Sequence, residues 1–234
     1  MHSRDTPTCL WRCNTLLIVR TLGCQDYQLV WQRMQDFTQT RNERTPDELW
    51  LCQHPAVFTQ GQAGKADHLG QLGDIPLVDT DRGGQVTYHG PGQLVFYPLF
   101  QLNRHALGVK AFVEQLETIG MELLACGGIN ASRLTGKPGL YVHGDKIASL
   151  GLKIKRGCSY HGMSINIDMD LTPFHRITPC GLTGMNMTQW SAHAPTPDWH
   201  WLCQQLIRIV EQTFHYSSLR LEAQEISWHC PTSP

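Results

Sequence analysis

The sequence predicts an α+β fold. Three observations support this class: two long segments have apolar residues in helical spacing, several short apolar segments are typical of strands, and the third quarter of the chain has consecutive strands without an intervening helix. A chain of 234 residues with 41% hydrophobic and 17% charged residues has the composition of a folded domain with a core. We expect one domain over residues 14–222, with flexible tails at 1–13 and 223–234.

The chain begins with a predicted strand, helix and strand. Leu16–Leu22 is apolar and β-branched, which is typical of a strand. Asp26 is placed to cap a helix that continues to about Arg41, because aspartate accepts the unpaired N–H groups of a first turn. Glu48–Cys52 predicts a second strand, which ends at the dipeptide His54-Pro55.

A glycine-rich loop and the most regular helix of the sequence follow. Gly61–Gly73 predicts a loop, and two strands, Leu77–Thr80 and Gln93–Tyr97, lie on either side of a second glycine-rich segment. Val109–Cys126 has apolar residues along one helical face, and Gly127 follows it at the position where helices often end.

The third quarter of the sequence predicts an antiparallel meander. Gly144-Asp145 is a hairpin signal, and Ile165, Ile167 and Met169 alternate with polar residues as in a half-buried strand. The predicted segments are, in order, the strands Leu140–His143, Lys146–Ile154 and Ser159–Met169, a loop over 170–190 and the helix Trp199–Phe214.

Composition and charge exclude several classes of protein. A net charge of −1 lacks the basic excess of a nucleic-acid binder, and no apolar run approaches the roughly 18 residues of a membrane helix. Residues 131–180 carry seven basic and three acidic side chains, a net +4 that suits an acidic partner. The first residues have no apolar signal-peptide core, and nine cysteines without metal-site spacing indicate free thiols in the cytoplasm and no bound metal.

Four glycines between Arg82 and Gln93 separate two predicted strands. Glycine allows a backbone to approach a ligand closely, and Thr87, Tyr88 and His89 add polar groups to the same segment. The spacing matches neither phosphate-binding loops nor dinucleotide-binding turns. The structural alternative is a long turn with a β-bulge.

Cys180 differs from the other cysteines in its setting. Most cysteines in such a chain are small buried hydrophobic residues, as expected for Cys52 and Cys203 in their apolar segments. Cys180 lies between Pro179 and Gly181, which predict an irregular loop. It is therefore the first candidate for a reactive thiol.

Lys146 is followed by the small and apolar segment 147–151, which is an unusual setting for a solvated lysine. An ammonium near a thiol favours the thiolate and so creates a nucleophile. The alternative is a strand-end lysine whose charged end reaches water. His89, His143 and His161 lie in or beside the glycine-rich strands, where each is either a structural hydrogen-bonding residue or a participant in proton transfer.

Four motifs occur together in a specific order. They are RGGQVTYHGPGQLVFYPL from Arg82, GDKIASLGLKI from Gly144, YHGMSINI from Tyr160 and ITPCGLTGM from Ile177. With these motifs the sequence resembles the lipoate-biosynthesis octanoyltransferase family over roughly residues 15–215. The resemblance implies the class II synthetase-like fold of biotin and lipoate protein ligases, a mixed or antiparallel sheet flanked by helices.

The resemblance also implies roles for individual residues. Cys180 would be the acyl-thioester nucleophile and Lys146 the residue that activates it. The acyl substrate would contact Arg82, Gly83, Gly84, Gln85, Val86, Thr87, Tyr88, His89, Ser149, Leu150, Gly151, Gly162, Met163 and Ser164. Small residues would leave room for the acyl chain at Gly83, Gly84, Ala148, Gly151 and Gly162. No cofactor or metal is implied.

The implied reaction transfers an octanoyl group from octanoyl-acyl carrier protein to a lysine of a lipoyl domain, in 2-oxoacid dehydrogenase complexes or the glycine cleavage H protein. Both protein substrates would be acidic, and Lys153, Lys155 and Arg156 are candidates to attract them, unless they form an ordinary solvated strand end. Three alternatives remain: an ATP-dependent ligase of the same fold, a thiol hydrolase that pairs Cys180 with a histidine, and a non-catalytic module that binds carrier proteins.

Overall fold

The computed structural model describes residues 15–177, 185–223 and 227–230. It contains three helices and eleven strands in these ranges. The strands are β1 (Leu16–Cys24), β2 (Asp47–Gln53), β3 (Val57–Gln60), β4 (Leu77–Asp79), β5 (Val86–His89), β6 (Gln93–Leu99), β7 (Ser132–Leu134), β8 (Lys137–Val142), β9 (Asp145–Lys155), β10 (Cys158–Asn166) and β11 (Ser218–Ala223). The helices are α1 (Tyr27–Thr40), α2 (Val109–Cys126) and α3 (Trp199–Phe214).

Eight strands form one mixed sheet in the order β11-β1-β2-β6-β10-β9-β8-β7. Strand β1 pairs in parallel with β2 and β11, whereas the other pairs of this sheet are antiparallel. A second sheet of three strands has the order β4-β3-β5. The predicted α+β class with a mixed sheet flanked by helices is confirmed.

Different helices pack against the two faces of the large sheet. Alternating residues of β2 show this directly, because Leu49 and Leu51 pack with α2 and α3 while Trp50 and Cys52 pack with α1. The core between the sheet and α2 and α3 is the larger of the two. The smaller core beside α1 is completed by Tyr160 and leaves room for a pocket.

Local sequence signals account for the helix ends. The Asp26 carboxylate accepts a hydrogen bond from the Leu29 N–H at 2.9 Å, so the predicted cap of α1 is confirmed. Helices α2 and α3 have the predicted bounds, and Asp198 caps α3 by accepting from the His200 N–H at 2.8 Å. Helix α1 ends at Thr40, because the backbone of Arg41 is extended.

The structure also contains elements that the sequence did not predict. Strands β3 and β7 have only four and three residues, and β5 lies within the glycine-rich segment that separates two predicted strands. Strand β11 alternates polar and apolar residues, but over only six positions. The described part of the loop predicted over 170–190 includes two short 3-10 helices, at Thr172–Arg176 and Trp190–Ala192. Strand β1 extends two residues beyond its predicted end, to Cys24.

A disulfide joins Cys24 at the end of β1 to Cys230. The expectation that the cysteines are free thiols is therefore wrong for this pair, whereas Cys52, Cys126, Cys158 and Cys203 are free. Two further contacts hold residues 227–230 in place. The Trp228 ring stacks on Trp199 at 5.2 Å between centroids, and its carbonyl accepts from Gln53 Nε2 at 3.0 Å.

Candidate active site

A pocket lies between the α1 face of the large sheet and strand β5 of the small sheet. It holds about 470 Å³ of space between atoms, including the solvent at its mouth. Its lining is mostly apolar or backbone. The lining residues are Tyr27, Arg82, Gly84, Gln85, Val86, Thr87, His89, Val95, Tyr97, Ser149, Leu150, Gly151, His161, Gly162, Met163 and Ser164.

The pocket brings together twelve of the fourteen residues that we expected to contact the acyl substrate. The two others lie outside its lining. Gly83 donates its N–H to the Leu152 carbonyl at 2.8 Å, and the Tyr88 ring packs against Phe58 and Phe174. Ala148, which we expected to leave room for the acyl chain, belongs to the core beside α2 and α3.

Four lining residues are not among those predicted from the sequence to contact the acyl substrate: Tyr27, Val95, Tyr97 and His161. Val95 and Tyr97 alternate along β6, so a period of two in that strand was the available signal. Tyr27 opens α1, far in sequence from the strands that it meets. His161 precedes Gly162, and its placement depends on a left-handed backbone, with a φ of +59°. No pattern in the sequence predicts this conformation at His161.

Arg82 holds the segment that covers the pocket. Its side chain is buried, and its Nε and Nη2 atoms both donate to Thr59 Oγ1, at 3.2 and 2.9 Å. Its Nη1 donates to the Gly83 carbonyl at 3.1 Å. These bonds tie the 82–84 segment to β3, and Gly83 in turn is bonded to β9, so both sheets fix this side of the pocket.

A chain of buried hydrogen bonds fixes the state of His89. Asn166 Nδ2 donates to the Thr188 carbonyl at 2.9 Å, which leaves Asn166 Oδ1 to accept from Gln93 Nε2 at 2.9 Å. Gln93 Oε1 then accepts from His89 Nδ1 at 2.7 Å. His89 therefore has its proton on Nδ1 and a lone pair on Nε2.

Burial, together with the neighbouring His54, lowers the pKa of His89 to about 3. His89 is thus neutral at physiological pH. The Thr59 hydroxyl, which accepts from Arg82, lies 3.4 Å from His89 Nε2 and donates to it, so both ring nitrogens are held within the buried network. His89 is too weakly basic to hold a proton near neutral pH.

Lys146 reaches the pocket face through a β-bulge in β9. Leu140 pairs with Ala148 and Tyr141 pairs with Lys146, so Ile147 is one extra residue on β9. Adjacent residues of β8 point to opposite faces, and directly paired residues share a face. Lys146 therefore lies on the face opposite to Ala148, which is the pocket face.

The neighbours of Lys146 leave space for its long side chain. The side chain is buried, with 1% of the residue's surface exposed, and Nζ lies 5.7 Å from the centroid of the Tyr141 ring. Gly139 leaves the necessary space, because a Cβ there would lie 2.8 Å from Lys146 Cε. Gly139 also has a φ of +120°, which glycine adopts most readily.

The backbone of Lys146 pairs with the chain that follows the Cys180 segment. Its N–H donates to the Asn186 carbonyl, and its carbonyl accepts from the Thr188 N–H, both at 2.9 Å. Cys180 itself lies outside the described residues, which resume at 185. Residues 186–188, which follow Cys180 closely in the sequence, are thus paired with Lys146, and Asn166 binds the same segment through Thr188.

His161 forms a hydrogen bond with a carboxylate at the other end of the pocket. Its Nε2 lies 2.9 Å from Asp81 Oδ1, and Asp81 also accepts from Trp31 Nε1 at 2.9 Å and from the Tyr160 hydroxyl. Burial alone would raise the pKa of Asp81, but the hydrogen bonds from His161, Tyr160 and Trp31 outweigh it and hold this pKa well below its usual range. Burial lowers the pKa of His161, so the imidazole is neutral.

His143 lies apart from the pocket. It occupies the exposed turn between β8 and β9, and its ring centroid is 6.1 Å from that of His193. Within the described ranges, no three His, Cys, Asp or Glu side chains form a group that fits a metal ion. None of the helices in these ranges is both long and apolar enough to cross a bilayer.

Known proteins are similar to this chain over most of its length. Residues 26–214 match the lipoyl protein ligase A/B catalytic domain. An octanoyltransferase of Saccharophagus degradans is 59% identical over 74% of this chain and 81% of its own length. An octanoyltransferase of Vibrio vulnificus is 50% identical over 89% of this chain and 95% of its own length.

Solved structures share the fold at much lower identity. A lipoate-protein ligase A bound with ATP superposes with a TM-score of 0.73 at 14% identity, covering 90% of this chain and 88% of its own. The biotin protein ligase of Aquifex aeolicus gives a TM-score of 0.50 at 11% identity, with 86% and 70% covered. The expected fold is thus confirmed, and the sequence relatives show that the chain belongs to the lipoyl protein ligase A/B catalytic-domain family and, within it, to the octanoyltransferases.

Proposed function

We propose that the chain transfers an octanoyl group from octanoyl-acyl carrier protein to a lysine of lipoyl domains, by way of a thioester on Cys180. The observation that carries this proposal is the path of β9, which leads from the buried Lys146 along Ser149 and Gly151 into a mostly apolar pocket. Such a pocket suits an alkyl chain, since each buried CH2 contributes about 0.8 kcal/mol.

In the first step, the Cys180 thiolate attacks the carbonyl carbon of the octanoyl thioester. A new C–S bond forms to Cys180, and the C–S bond to the carrier thiol breaks, so that the carrier leaves as a thiol after taking a proton. One thioester replaces another, and the step is close to neutral in free energy. An ammonium at Lys146 would favour the attacking thiolate.

In the second step, the ε-amine of the acceptor lysine attacks the acyl-enzyme. A C–N bond forms, the C–S bond to Cys180 breaks, and the amine loses one proton, for which Lys146 is the candidate base. The link between Lys146 and the Cys180 loop through residues 186–188 supports a shared role for these two side chains. Forming an amide from a thioester is downhill, so the reaction needs no ATP.

The acceptors that fit this chemistry are the lipoyl domains of 2-oxoacid dehydrogenase complexes and the glycine cleavage H protein, and the expected location is the cytoplasm. Lys153 and Lys155 are placed to attract acidic partners. Arg156 has a structural role as well, because its Nη2 donates to the carbonyls of Thr38 and Gln39 at the end of α1, at 2.6 and 2.8 Å.

Intact-mass spectrometry tests the proposal. The purified chain is mixed with octanoyl-acyl carrier protein, with and without a lipoyl domain, in the absence of ATP and magnesium. We expect an octanoyl adduct on the wild type that disappears when the lipoyl domain is added and becomes octanoylated. Cys180→Ala should form no adduct, while Cys126→Ala, which removes an exposed free thiol, should behave as wild type.

Other outcomes would identify a different activity. Transfer that requires ATP and free octanoate would indicate a ligase, as in the fold relative that binds ATP. Release of free octanoate from the adduct at the same rate with and without the lipoyl domain would indicate a hydrolase. If Cys180 stays unmodified in all mixtures, the chain would be a non-catalytic module that binds the carrier protein.

A further inference from the structure

His161 has a backbone conformation that turns its side chain into the pocket. Its φ of +59° is left-handed, which is unfavourable for a residue with a Cβ and persists only where the surroundings hold it. Tyr160 before it packs beside α1, and Gly162 after it lines the pocket on the same face of the sheet. Regular alternation would point His161 to the opposite face, but the left-handed residue brings its imidazole to this one.

Neighbours on the outer side lock the imidazole. Nε2 binds Asp81, whose carboxylate is also held by Trp31 and Tyr160, and the Tyr160 ring stacks on the imidazole at 5.1 Å between centroids. Only 1% of the His161 surface is exposed. Three side chains therefore fix the position of the ring.

The imidazole separates two cavities. On its inner side is the acyl pocket, which His161 lines. On its outer side is a polar surface cleft, whose lining includes Asp81, Tyr160, Asp36 and Lys155. Without the ring, the apolar pocket would open towards this cleft.

His161 also lies at the end of the pocket that is remote from Lys146. It pairs with Leu152, six residues beyond Lys146 on β9, and with one residue taken up by the bulge this is about 16 Å along the strand. Ser149 and Gly151 line the pocket between the two ends. An acyl chain with its carbonyl at Lys146 thus directs its methyl end to His161.

We propose that His161, locked by Asp81, is the end wall of the acyl pocket and excludes acyl chains substantially longer than octanoyl. This inference rests on the proposed function and names a residue that selects the substrate. A longer chain would have to displace a ring that is bonded to Asp81. Its buried Nδ1 has no hydrogen-bond partner in the described structure, so the ring presents a polar atom that an alkyl chain cannot satisfy.

The test measures kcat/KM for transfer from octanoyl-, decanoyl- and dodecanoyl-acyl carrier protein to a lipoyl domain. His161→Gly removes the wall, and glycine suits the left-handed backbone. We expect the dodecanoyl-to-octanoyl ratio to rise at least tenfold, since each added CH2 that finds an apolar site improves binding about fourfold. His161→Asn, a shorter side chain that tolerates the same backbone, should give a smaller rise in that ratio.

His215→Gly is the matched control. His215 also has a left-handed φ, of +55°, but it is exposed at the end of α3, so this variant should keep the wild-type ratio. If both His161 variants transfer octanoyl groups with a dodecanoyl-to-octanoyl ratio within twofold of the wild-type ratio, the inference is overturned and the proposed function stands. Loss of transfer from all three donors in a His161 variant with the wild-type melting transition would also overturn the inference. Absence of octanoyl transfer by the wild type would overturn the proposed function itself.

Discussion

At the scale of single residues, the candidate site depends on side chains that are buried and held by their neighbours. Lys146 lies over Tyr141 in space that Gly139 leaves open, and His89 is held in one tautomer by Gln93 and Asn166. Burying a polar side chain is costly unless it has partners, so each of these residues depends on a particular set of contacts.

Replacing Lys146 by methionine tests its chemical role. Methionine keeps most of the buried side-chain volume but lacks the amine, so we expect a wild-type fold and a fall in kcat of at least about 100-fold, the usual contribution of a positioned acid or base. Melting curves check the fold, and octanoyl transfer gives the rate. A folded Lys146→Met variant with more than a tenth of wild-type kcat would contradict the assignment.

Buried histidines make the stability of the fold dependent on pH. Burial lowers the pKa of His54 to about 4, well below the value of about 6.5 in an unfolded chain. The unfolded state therefore binds a proton that the folded state does not. Above pH 6.5 His54 leaves the free energy of unfolding independent of pH. Between pH 6.5 and 4 it lowers the free energy of unfolding by about 1.4 kcal/mol for each unit by which the pH falls.

Urea unfolding between pH 6.5 and 4.5 measures this dependence. His54→Gln should reduce the slope of unfolding free energy against pH by about 1.4 kcal/mol per unit, whatever its effect on stability at pH 7. His200→Gln, at the exposed start of α3, should leave the slope unchanged. An equal slope in wild type and His54→Gln would show that His54 is not neutral in the folded state.

At the scale of elements, the strands β6 and β10 approach each other unusually closely beside His161. A Cβ on Gly162 would lie 2.1 Å from the Phe96 carbonyl oxygen and 2.9 Å from Pro98 Cδ. No side chain fits there without a shift of the β6 backbone. The two strands therefore need glycine at this position for their spacing, in addition to the room that it gives the pocket.

We expect Gly162→Ala to lower the unfolding free energy by at least about 2 kcal/mol, because overpacking moves backbone rather than a flexible side chain. Gly108→Ala is the control, since a Cβ at Gly108 meets nothing within 4 Å. Because Gly108 is the N-cap of α2, where alanine is less favourable than glycine, we expect a cost of no more than about 1 kcal/mol. Urea titrations of both variants make the comparison. Equal stability of the two would show that β6 adjusts without cost.

Sequence patterns predicted long elements well and short ones poorly. Helices α2 and α3 have several turns of apolar spacing, and their predicted bounds agree with the structure. Strand β3 has four residues, of which three in succession are buried, so it shows no period. Strand β11 alternates polar and apolar residues over only six positions and pairs with β1 at the edge of the sheet. The pocket lining followed from family motifs, but Tyr27 and His161 did not, because a distant helix and a left-handed backbone place them there.

At the scale of the whole molecule, the two ends of the described chain meet on one side of the sheet. Strand β11 pairs with β1, and the disulfide between Cys24 and Cys230 joins the segment after β11 to the end of β1. The same segment contacts Gln53, whose Oε1 accepts from the Gly92 N–H at 2.7 Å near the pocket. The chain is thus closed by one covalent bond over 206 residues.

Reducing this disulfide should lower the unfolding free energy by about 2–4 kcal/mol, because the unfolded chain gains conformational freedom. Melting with and without a phosphine reductant measures the loss. Cys230→Ser should melt at the temperature of the reduced wild type and should not respond to the reductant. A wild-type melting temperature that is indifferent to reductant would show that the bond does not form in solution.

The bulge at Ile147 decides which face of the sheet receives the lysine. In a regular ladder over the same residues, Tyr141 would pair with Ile147 and Val142 with Lys146. Val142 belongs to the core beside α2 and α3, so the lysine would be inverted into that core, although every chemical group of the site would still be present. One extra residue in a strand is therefore enough to decide whether the amine and the pocket share a face.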